Sequence, residues 1–259
     1  MNVPTMADMM AQGKQPEVLF WVGAAGSYDD RAKKISRAFV KILVHSNVNF
    51  AVLGTEESST GDAAKRAGNE FLFQMQAMMN IEVLNGYEVK KIVTCDPHSF
   101  NTLKNEYSSL GGKYEVFHHT QFIQNLISEG RLKIDDTVLK GKRVTFHDPC
   151  YLGRANDVYE SPRDLIKRLG VNLTEMKRNK SSALCCGAGG AQMFKDAEKG
   201  DKEINVLRTE DALETNPEII ATGCPYCNTM MTDGIKFKEK EAEVVVKDIA
   251  ELIAEANNL

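Results

Sequence analysis

Five of the six cysteines fall into three groups in the second half of the chain. They are a single thiol at Cys150, the adjacent pair Cys185 and Cys186, and a C-P-Y-C run that holds Cys224 and Cys227. Adjacent Cα atoms lie about 3.8 Å apart whereas disulfides need roughly 4.4–6.8 Å, so the adjacent pair is poorly placed to form a disulfide with itself. Thiolates are the soft ligands that select iron–sulfur clusters, zinc or cuprous copper. The grouping therefore predicts a metal centre bound by thiolates.

The number of sulfurs helps to separate the possible centres. A tetrahedral zinc site closes with four thiolates, so a set of five favours an iron–sulfur cluster, with zinc bound by four of the five as the alternative. A redox-active dithiol at Cys224 and Cys227 would leave the other three cysteines unexplained. Gly187, with Gly189 and Gly190, permits the positive φ angles and close backbone approach that a loop around a bulky cluster needs.

The composition is that of a soluble globular protein. The chain has 259 residues, of which 42% are hydrophobic and 26% charged, and its net charge is −4. This charge gives no reason to expect binding to nucleic acid or to an anionic membrane surface. No apolar run approaches the ~18–20 residues of a membrane span, and the first residues lack the pattern of a secretory signal. We therefore expect a cytoplasmic protein, in which cysteines stay reduced and clustered thiols bind metal.

The chain also contains an internal repeat. Segment 144–154, which holds Cys150, aligns with segment 18–28, and the cysteine pair aligns with residues in E-S-S-T-G-D-A at the same offset of 126. In the first copy the five ligand positions hold other residue types: Ala24, Ser59, Thr60, Asp96 and Ser99. Cys95 falls one place outside the register, so we expect a buried thiol at the end of a strand. One metal site per chain is predicted.

Strand-like and helix-like patterns alternate through both copies. Short apolar runs predict strands at 17–22, 48–53, 90–95 and 114–118, and at 143–148, 218–223 and 243–248. Helical patterns lie between them at 29–46, 62–79, 98–107, 161–170 and 200–216. The alternation predicts an α/β fold of two similar halves, 1–140 and 141–259, each with a parallel sheet flanked by helices. The ligand groups would follow strands, where open α/β sheets bind ligands. The apolar residues at helical spacing in 71–79 are expected to lie in the core.

The segments H-D-P-C-Y-L-G-R, C-C-G-A-G-G and C-P-Y-C-N-T-M, with their counterparts in the first half, resemble the CCG-domain (cysteine-rich domain) family over nearly the whole chain. That family includes the B subunit of heterodisulfide reductase and the iron–sulfur subunits of glycolate and lactate oxidation systems. Its members carry a similarly spaced set of five cysteines. In the first half, where members often have cysteines as well, this chain has none at the corresponding positions.

The resemblance implies a specific centre. Carried over position by position, Cys150, Cys185, Cys186, Cys224 and Cys227 would ligate one [4Fe–4S] cluster of the noncubane type, and a cubane bound by four of them is the nearest alternative. His147 could donate a hydrogen bond to the cluster or to a substrate, Arg154 could balance its charge, and Gly187 would let the backbone approach it. The pair His118–His119 is expected to be structural, because neighbouring residues on a strand face opposite sides.

Two functions remain open at this stage. The first is an electron-transfer subunit of an oxidoreductase complex, which receives electrons from a flavoprotein or a ferredoxin-like partner and in one version reduces a disulfide at the cluster. The partner could itself be bound to a membrane. The alternative is a zinc-stabilised protein-interaction module without redox activity. Whether the chain is itself an enzyme, and on which substrate, does not follow from the ligands, because a fold and a cluster do not fix a substrate.

Overall fold

The computed structural model of the protein describes residues 3–196 and 199–259. Within these ranges the strands form two parallel sheets of four, with the orders β2-β1-β3-β4 and β6-β5-β7-β8. The strands are β1 (Val18–Trp21), β2 (Phe50–Ala51), β3 (Lys91–Thr94), β4 (Glu115–His118), β5 (Arg143–Phe146), β6 (Asn172–Leu173), β7 (Ile219–Thr222) and β8 (Val245–Asp248). The same strand order in both sheets confirms the predicted α/β fold of two similar halves.

Eleven α-helices flank the two sheets in the described residues. They are α1 (Met6–Ala11), α2 (Gly23–Tyr28), α3 (Ala32–His45), α4 (Asp62–Arg66), α5 (Glu70–Gly86), α6 (Pro97–Asn101), α7 (His119–Ser128), α8 (Glu160–Arg168), α9 (Ile204–Leu213), α10 (Pro225–Phe237) and α11 (Ile249–Ala256). A π-helical segment, Thr102–Glu106, continues α6. Every residue of β1 and β7 is buried, as expected for parallel strands that are covered by helices on both faces.

The two halves share one hydrophobic core. Buried residues of α3, among them Phe39 and Ile42, pack in the same cluster as Ile249 and Ile253 of α11. The contact between α3 and α11 therefore joins the first half to the second. The cluster also includes Cys95, which is buried directly after β3, as the sequence predicted for this residue.

Polar contacts also join the halves. Arg31 donates to both carboxylate oxygens of Glu251, at 2.8 and 2.7 Å, and to the carbonyl oxygen of Val246 at 2.9 Å. Nε2 of His119 lies 3.0 Å from Oδ1 of Asp248, and both side chains are fully buried. These contacts between the halves hold the loops of one sheet against the loops of the other.

The predicted helix over 62–79 is in fact two helices. Gly68 has a φ of +84°, which ends α4, and the side chain of Asn69 accepts a hydrogen bond from the backbone N–H of Leu72 at the start of α5. The expectation that the apolar residues of 71–79 lie in the core is wrong for most of them. Phe73 and Ala77 are buried, whereas the exposed apolar residues of this stretch are Phe71, Leu72, Met75, Met78 and Met79.

In residues 3–196 and 199–259, no helix combines the length and the apolar character that a membrane crossing requires.

Candidate metal centre

Three loops bring the five cysteines of the second half together. Cys150 follows β5, the adjacent pair lies in the loop before α9, and Cys224 is the N-cap of α10, which begins directly after β7. Because β5 and β7 are neighbouring parallel strands, their carboxyl ends meet at the same edge of the sheet. The chain therefore delivers sulfur atoms from distant segments to one place.

The sulfur atoms form a continuous group. Sγ of Cys227 lies 3.3 Å from Sγ of Cys186. Cys185 contacts both Cys150 and Cys186 through its sulfur, and Cys227 also contacts Cys224. All six cysteines are free thiols, and Cys186, Cys224 and Cys227 are almost completely buried. The five sulfurs form a continuous chain of contacts at one edge of a sheet, an arrangement that could surround a single centre.

The electrostatics of the five thiols favour a bound cation. The pKa of Cys185 is lowered because its sulfur accepts hydrogen bonds from the thiols of Cys150 and Cys186, and from the backbone N–H of Gly187 at 3.3 Å. The pKa values of Cys150, Cys186 and Cys227 are raised by the neighbouring thiols and by burial. Crowded thiols cannot all ionise without positive charge. A thiophilic metal centre supplies that charge, so the sulfur set fits an iron–sulfur cluster.

His147 is held as a hydrogen-bond donor beside the sulfurs. Its Nδ1 accepts a hydrogen bond of 3.0 Å from Nε of Arg208, so the hydrogen of the neutral ring is on Nε2. Burial, followed by the charge of Arg208, lowers the pKa of His147 to about 3. A ring nitrogen of His147 lies within 4.8 Å of the sulfurs of Cys186 and Cys227, and Nε2 is buried without a partner among the described residues. The ring is therefore suited to donate to a sulfur, not to ligate a metal.

Arg154 and Gly187 shape the loops that carry the cysteines. Arg154 is exposed and donates to the carbonyl oxygen of Ala183, which ties the loop after Cys150 to the loop of the cysteine pair. Gly187 has a φ of +93°, and a Cβ atom there would lie 2.4 Å from Cγ2 of Ile204. The sequence therefore needs glycine at this position both for the backbone conformation and for the space.

Asp148 and Arg208 support the site, although no pattern in the sequence selects them. Asp148 accepts two hydrogen bonds from Arg163, at 2.7 and 2.8 Å, and one from the backbone N–H of Lys180 at 2.8 Å. Arg208 is a fully buried arginine on α9. A charged residue in a helical pattern is usually exposed, so only the tertiary structure shows that Arg208 reaches His147.

The two neighbouring histidines do not face opposite sides as the sequence argument assumed. His118 ends β4 while His119 begins α7, and their rings lie 4.3 Å apart. Both are fully buried. His118 Nε2 lies 3.0 Å from the carbonyl oxygen of Gly223, the residue before Cys224. The first half thus contacts the backbone of the C-P-Y-C loop through this histidine.

The positions in the first half that correspond to the five cysteines also converge. Together they line one cavity between the two halves: Ala24, Ser59, Thr60, Asp96 and Ser99. The cavity is closed on its other side by residues that flank the cysteines, including Gly189 and Tyr226. The two equivalent regions of the repeat therefore face each other across a small cavity.

Comparison with known proteins agrees with the repeat. The family described as cysteine-rich domain, CCG, matches residues 18–104 and again residues 144–232. The chain is 48% identical over 98% of its length to the probable iron–sulfur-binding oxidoreductase FadF of Bacillus subtilis, and covers 36% of that protein. It is 43% identical over 98% of its length to the EtfAB:quinone oxidoreductase of Syntrophomonas wolfei, and again covers 36%.

A more distant relative is one subunit of the dihydromethanophenazine:CoB–CoM heterodisulfide reductase of Methanosarcina barkeri, at 33% identity over 94% of this chain and 59% of that relative. The chain thus spans about a third of the length of the first two relatives. The family match covers most of the chain and falls on both halves, including all five clustered cysteines. The chain therefore belongs to the cysteine-rich (CCG) domain family and contains that domain twice.

Proposed function

We propose that the chain binds one iron–sulfur cluster, of the [4Fe–4S] noncubane type, through Cys150, Cys185, Cys186, Cys224 and Cys227. The convergence of five sulfurs from three loops is the observation that carries this proposal. A tetrahedral zinc ion would leave one of the five converging sulfurs without a metal bond. Relatives named as an iron–sulfur-binding oxidoreductase and as a subunit of heterodisulfide reductase support the choice of iron and sulfide over zinc.

The function that follows is electron transfer within an oxidoreductase complex. An iron–sulfur cluster supplies one-electron redox chemistry when it is bound. The chain's own residues fix five sulfurs, exclude water from three of them and present the Nε2–H of His147 to the group. A flavoprotein or ferredoxin-like donor is the proposed partner, and a quinone or a disulfide is the proposed class of acceptor, since the names of relatives contain both.

We assign the ligand-bearing role to residues 141–259 and the scaffold role to residues 1–140. A cytoplasmic setting suits the site, because thiols stay reduced there. The zinc-bound interaction module is the competing function, and metal content distinguishes the two.

The first prediction concerns metal content. The chain purified without oxygen should be brown and carry about four iron and four sulfide, as a [4Fe–4S] cluster requires. Cys185→Ser and Cys224→Ser should each lose the assembled cluster, because each removes a sulfur from the contacting group. Iron and sulfide analysis with the visible absorption spectrum measures both results.

Cys95→Ser is the matched control. Cys95 is a buried thiol in the shared core and not in the cysteine cluster, so its replacement should leave the iron content unchanged. Colourless protein with one zinc per chain would refute the proposal, and equal loss of iron in all three variants would show that the ligand set is wrong.

A further inference from the structure

Helix α5 is apolar on two sides, and the described part of the chain covers only one of them. Phe73, Ala77 and Leu84 are buried in a cluster that includes residues of β1 and β3. The opposite side exposes five large apolar residues to solvent: Phe71, Leu72, Met75, Met78 and Met79. A helix that is apolar all round is typical of a buried helix. The composition of α5 therefore predicts a second cover, over its exposed side.

The exposed apolar surface of α5 is large for a single protein. Phe71 is 76% exposed, Met78 is 61% exposed and Met79 is 58% exposed. A phenyl side chain can bury about 150–250 Å², so Phe71 alone leaves about 100 Å² or more open. With the other four side chains the patch reaches several hundred Å², a size that marks interaction sites. Methionine, which is flexible and polarizable, is also common at binding surfaces.

The spacing of the exposed residues selects a helix as the partner. Phe71, Met75, Met78 and Glu82 follow one another at intervals of four, three and four residues. This alternation forms the seam of a coiled coil, in which each side chain inserts between four side chains of the facing helix. An extended strand presents side chains at intervals of two residues and does not match it. The seam covers 71–82, which is about 18 Å of helix.

The charge of α5 defines which helix fits. The helix contains Glu70 and Glu82 but no lysine, arginine or histidine. Glu82 is exposed and occupies the last position of the seam, where a partner would remove it from water. In a parallel pair of two copies of this chain Glu82 would face Glu82, and in an antiparallel pair it would face the apolar Phe71. Either arrangement buries an uncompensated charge, and an anionic membrane repels the acidic helix.

A helix with lysine or arginine opposite Glu82 satisfies both the spacing and the charge. We infer that the exposed side of α5 binds an amphipathic helix of a partner protein, which places apolar residues on the seam and a basic residue against Glu82. The surface lies outside the loops that carry the clustered cysteines. The inference therefore does not depend on the proposed cluster.

Three model peptides test the inference on the full chain. The first is a fluorescein-labelled helical peptide, L-K-K-L-L-K-L-L-K-K-L-L-K-L, with leucine on one side and lysine on the other. The second has glutamate in place of every lysine, and the third alternates leucine with lysine, a pattern that favours a strand. Fluorescence anisotropy should show saturable binding of the first peptide and binding about tenfold weaker, or more, for the other two. Failure of the first peptide to bind, or equal binding of all three, would overturn the inference.

Three variants locate the binding on α5. Phe71→Gln removes an apolar side chain from the seam and should raise the dissociation constant of the first peptide about tenfold. Phe237→Gln is the matched control, because Phe237 is 71% exposed at the end of α10, and it should bind as the parent does. Glu82→Lys should weaken binding of the lysine peptide and strengthen binding of the glutamate peptide. Equal affinity of the two phenylalanine variants, or a change in the same direction for both peptides, would overturn the inference.

Two further measurements test other occupants of the exposed side of α5. In analytical ultracentrifugation the parent and the Met75→Gln variant should have the same mass, whereas a dimer that only the parent forms would show that a second copy covers α5. Vesicles of phosphatidylserine should leave the parent in solution, and sedimentation that Met75→Gln abolishes would overturn the inference in favour of a membrane. All variants should keep the iron content of the parent, so peptide binding and the proposed cluster can fail independently.

Discussion

Nε2 of His147 is buried, carries a hydrogen and has no acceptor among the described residues. An unsatisfied buried donor costs about 1–3 kcal/mol, and this one is kept in place by the hydrogen bond from Arg208. The cost is removed if a sulfur of the cluster or of a ligating thiolate accepts the hydrogen. A donor of this kind stabilises the more negative, reduced state of the cluster, so His147 would set its reduction potential.

The second prediction tests this role. His147→Leu removes the donor while keeping a buried side chain, and should lower the reduction potential on the order of 50 mV, from about 1 kcal/mol for the hydrogen bond. A potentiometric titration followed by electron paramagnetic resonance measures it. His45→Leu is the control for a histidine remote from the sulfurs. A variant with its full iron content and an unchanged potential would contradict the role.

At the scale of the elements, the loop of the cysteine pair depends on two glycines in different ways. Gly187 and Gly190 both have positive φ, but a Cβ atom at Gly187 would meet Ile204, whereas at Gly190 it would meet no atom within 4 Å. Substitutions at these two glycines therefore distinguish the effect of backbone strain from that of a steric clash in the same loop.

The third prediction compares alanine at these two positions. Gly190→Ala should cost about 1 kcal/mol of stability, from the left-handed backbone alone, and should retain its iron. Gly187→Ala should cost more and lower the iron content, since the clash displaces the loop next to Cys186. Thermal unfolding and iron analysis measure both. Similar losses in the two variants would show that the contact with Ile204 does not shape the loop.

The elements show what sequence could and could not predict. The strands were predictable because buried parallel strands are short, nearly continuous apolar runs, as in β1 and β7. Which face of α5 is buried was not predictable, because the exposed Met75, Met78 and Met79 have the same helical spacing as the buried Phe73 and Ala77. The cysteine groups were visible in their spacing. The hydrogen bond from Arg208 to His147 was not visible in the sequence, since it joins residues that are 61 positions apart.

At the scale of the whole molecule, stability should depend on the ionisation of Glu57. Its carboxylate accepts hydrogen bonds from the backbone N–H groups of Val22, at 2.9 Å, and Gly23, at 2.6 Å. Burial nevertheless raises the pKa of Glu57 to about 7 from its ordinary 4.5. Since folding favours the protonated form, its contribution to stability is complete below about pH 4.5 and is lost as the pH rises through 7.

The fourth prediction follows from this loss of stability with rising pH. Between pH 5 and 8 the parent should lose about 1–2 kcal/mol more of its unfolding free energy than the Glu57→Gln variant does, because only the parent has a carboxyl group that ionises there. The loss is no larger because solvent partly screens the half-buried group. Urea unfolding at several pH values measures the difference. Glu56→Gln, at the exposed neighbouring residue, is the control and should keep the pH dependence of the parent. Parallel curves for the parent and the Glu57→Gln variant would refute the assignment.

The contact of α3 with α11 has a consequence for how this chain could have evolved. Had a mutation deleted the half that lacks the clustered cysteines, the sheet of the other half would have lost its apolar cover and become prone to aggregate. Substitution of single side chains around the cavity carries no such penalty. Natural selection could therefore vary the side chains that the first half presents to the cavity, yet it had to retain the polypeptide that covers the second half.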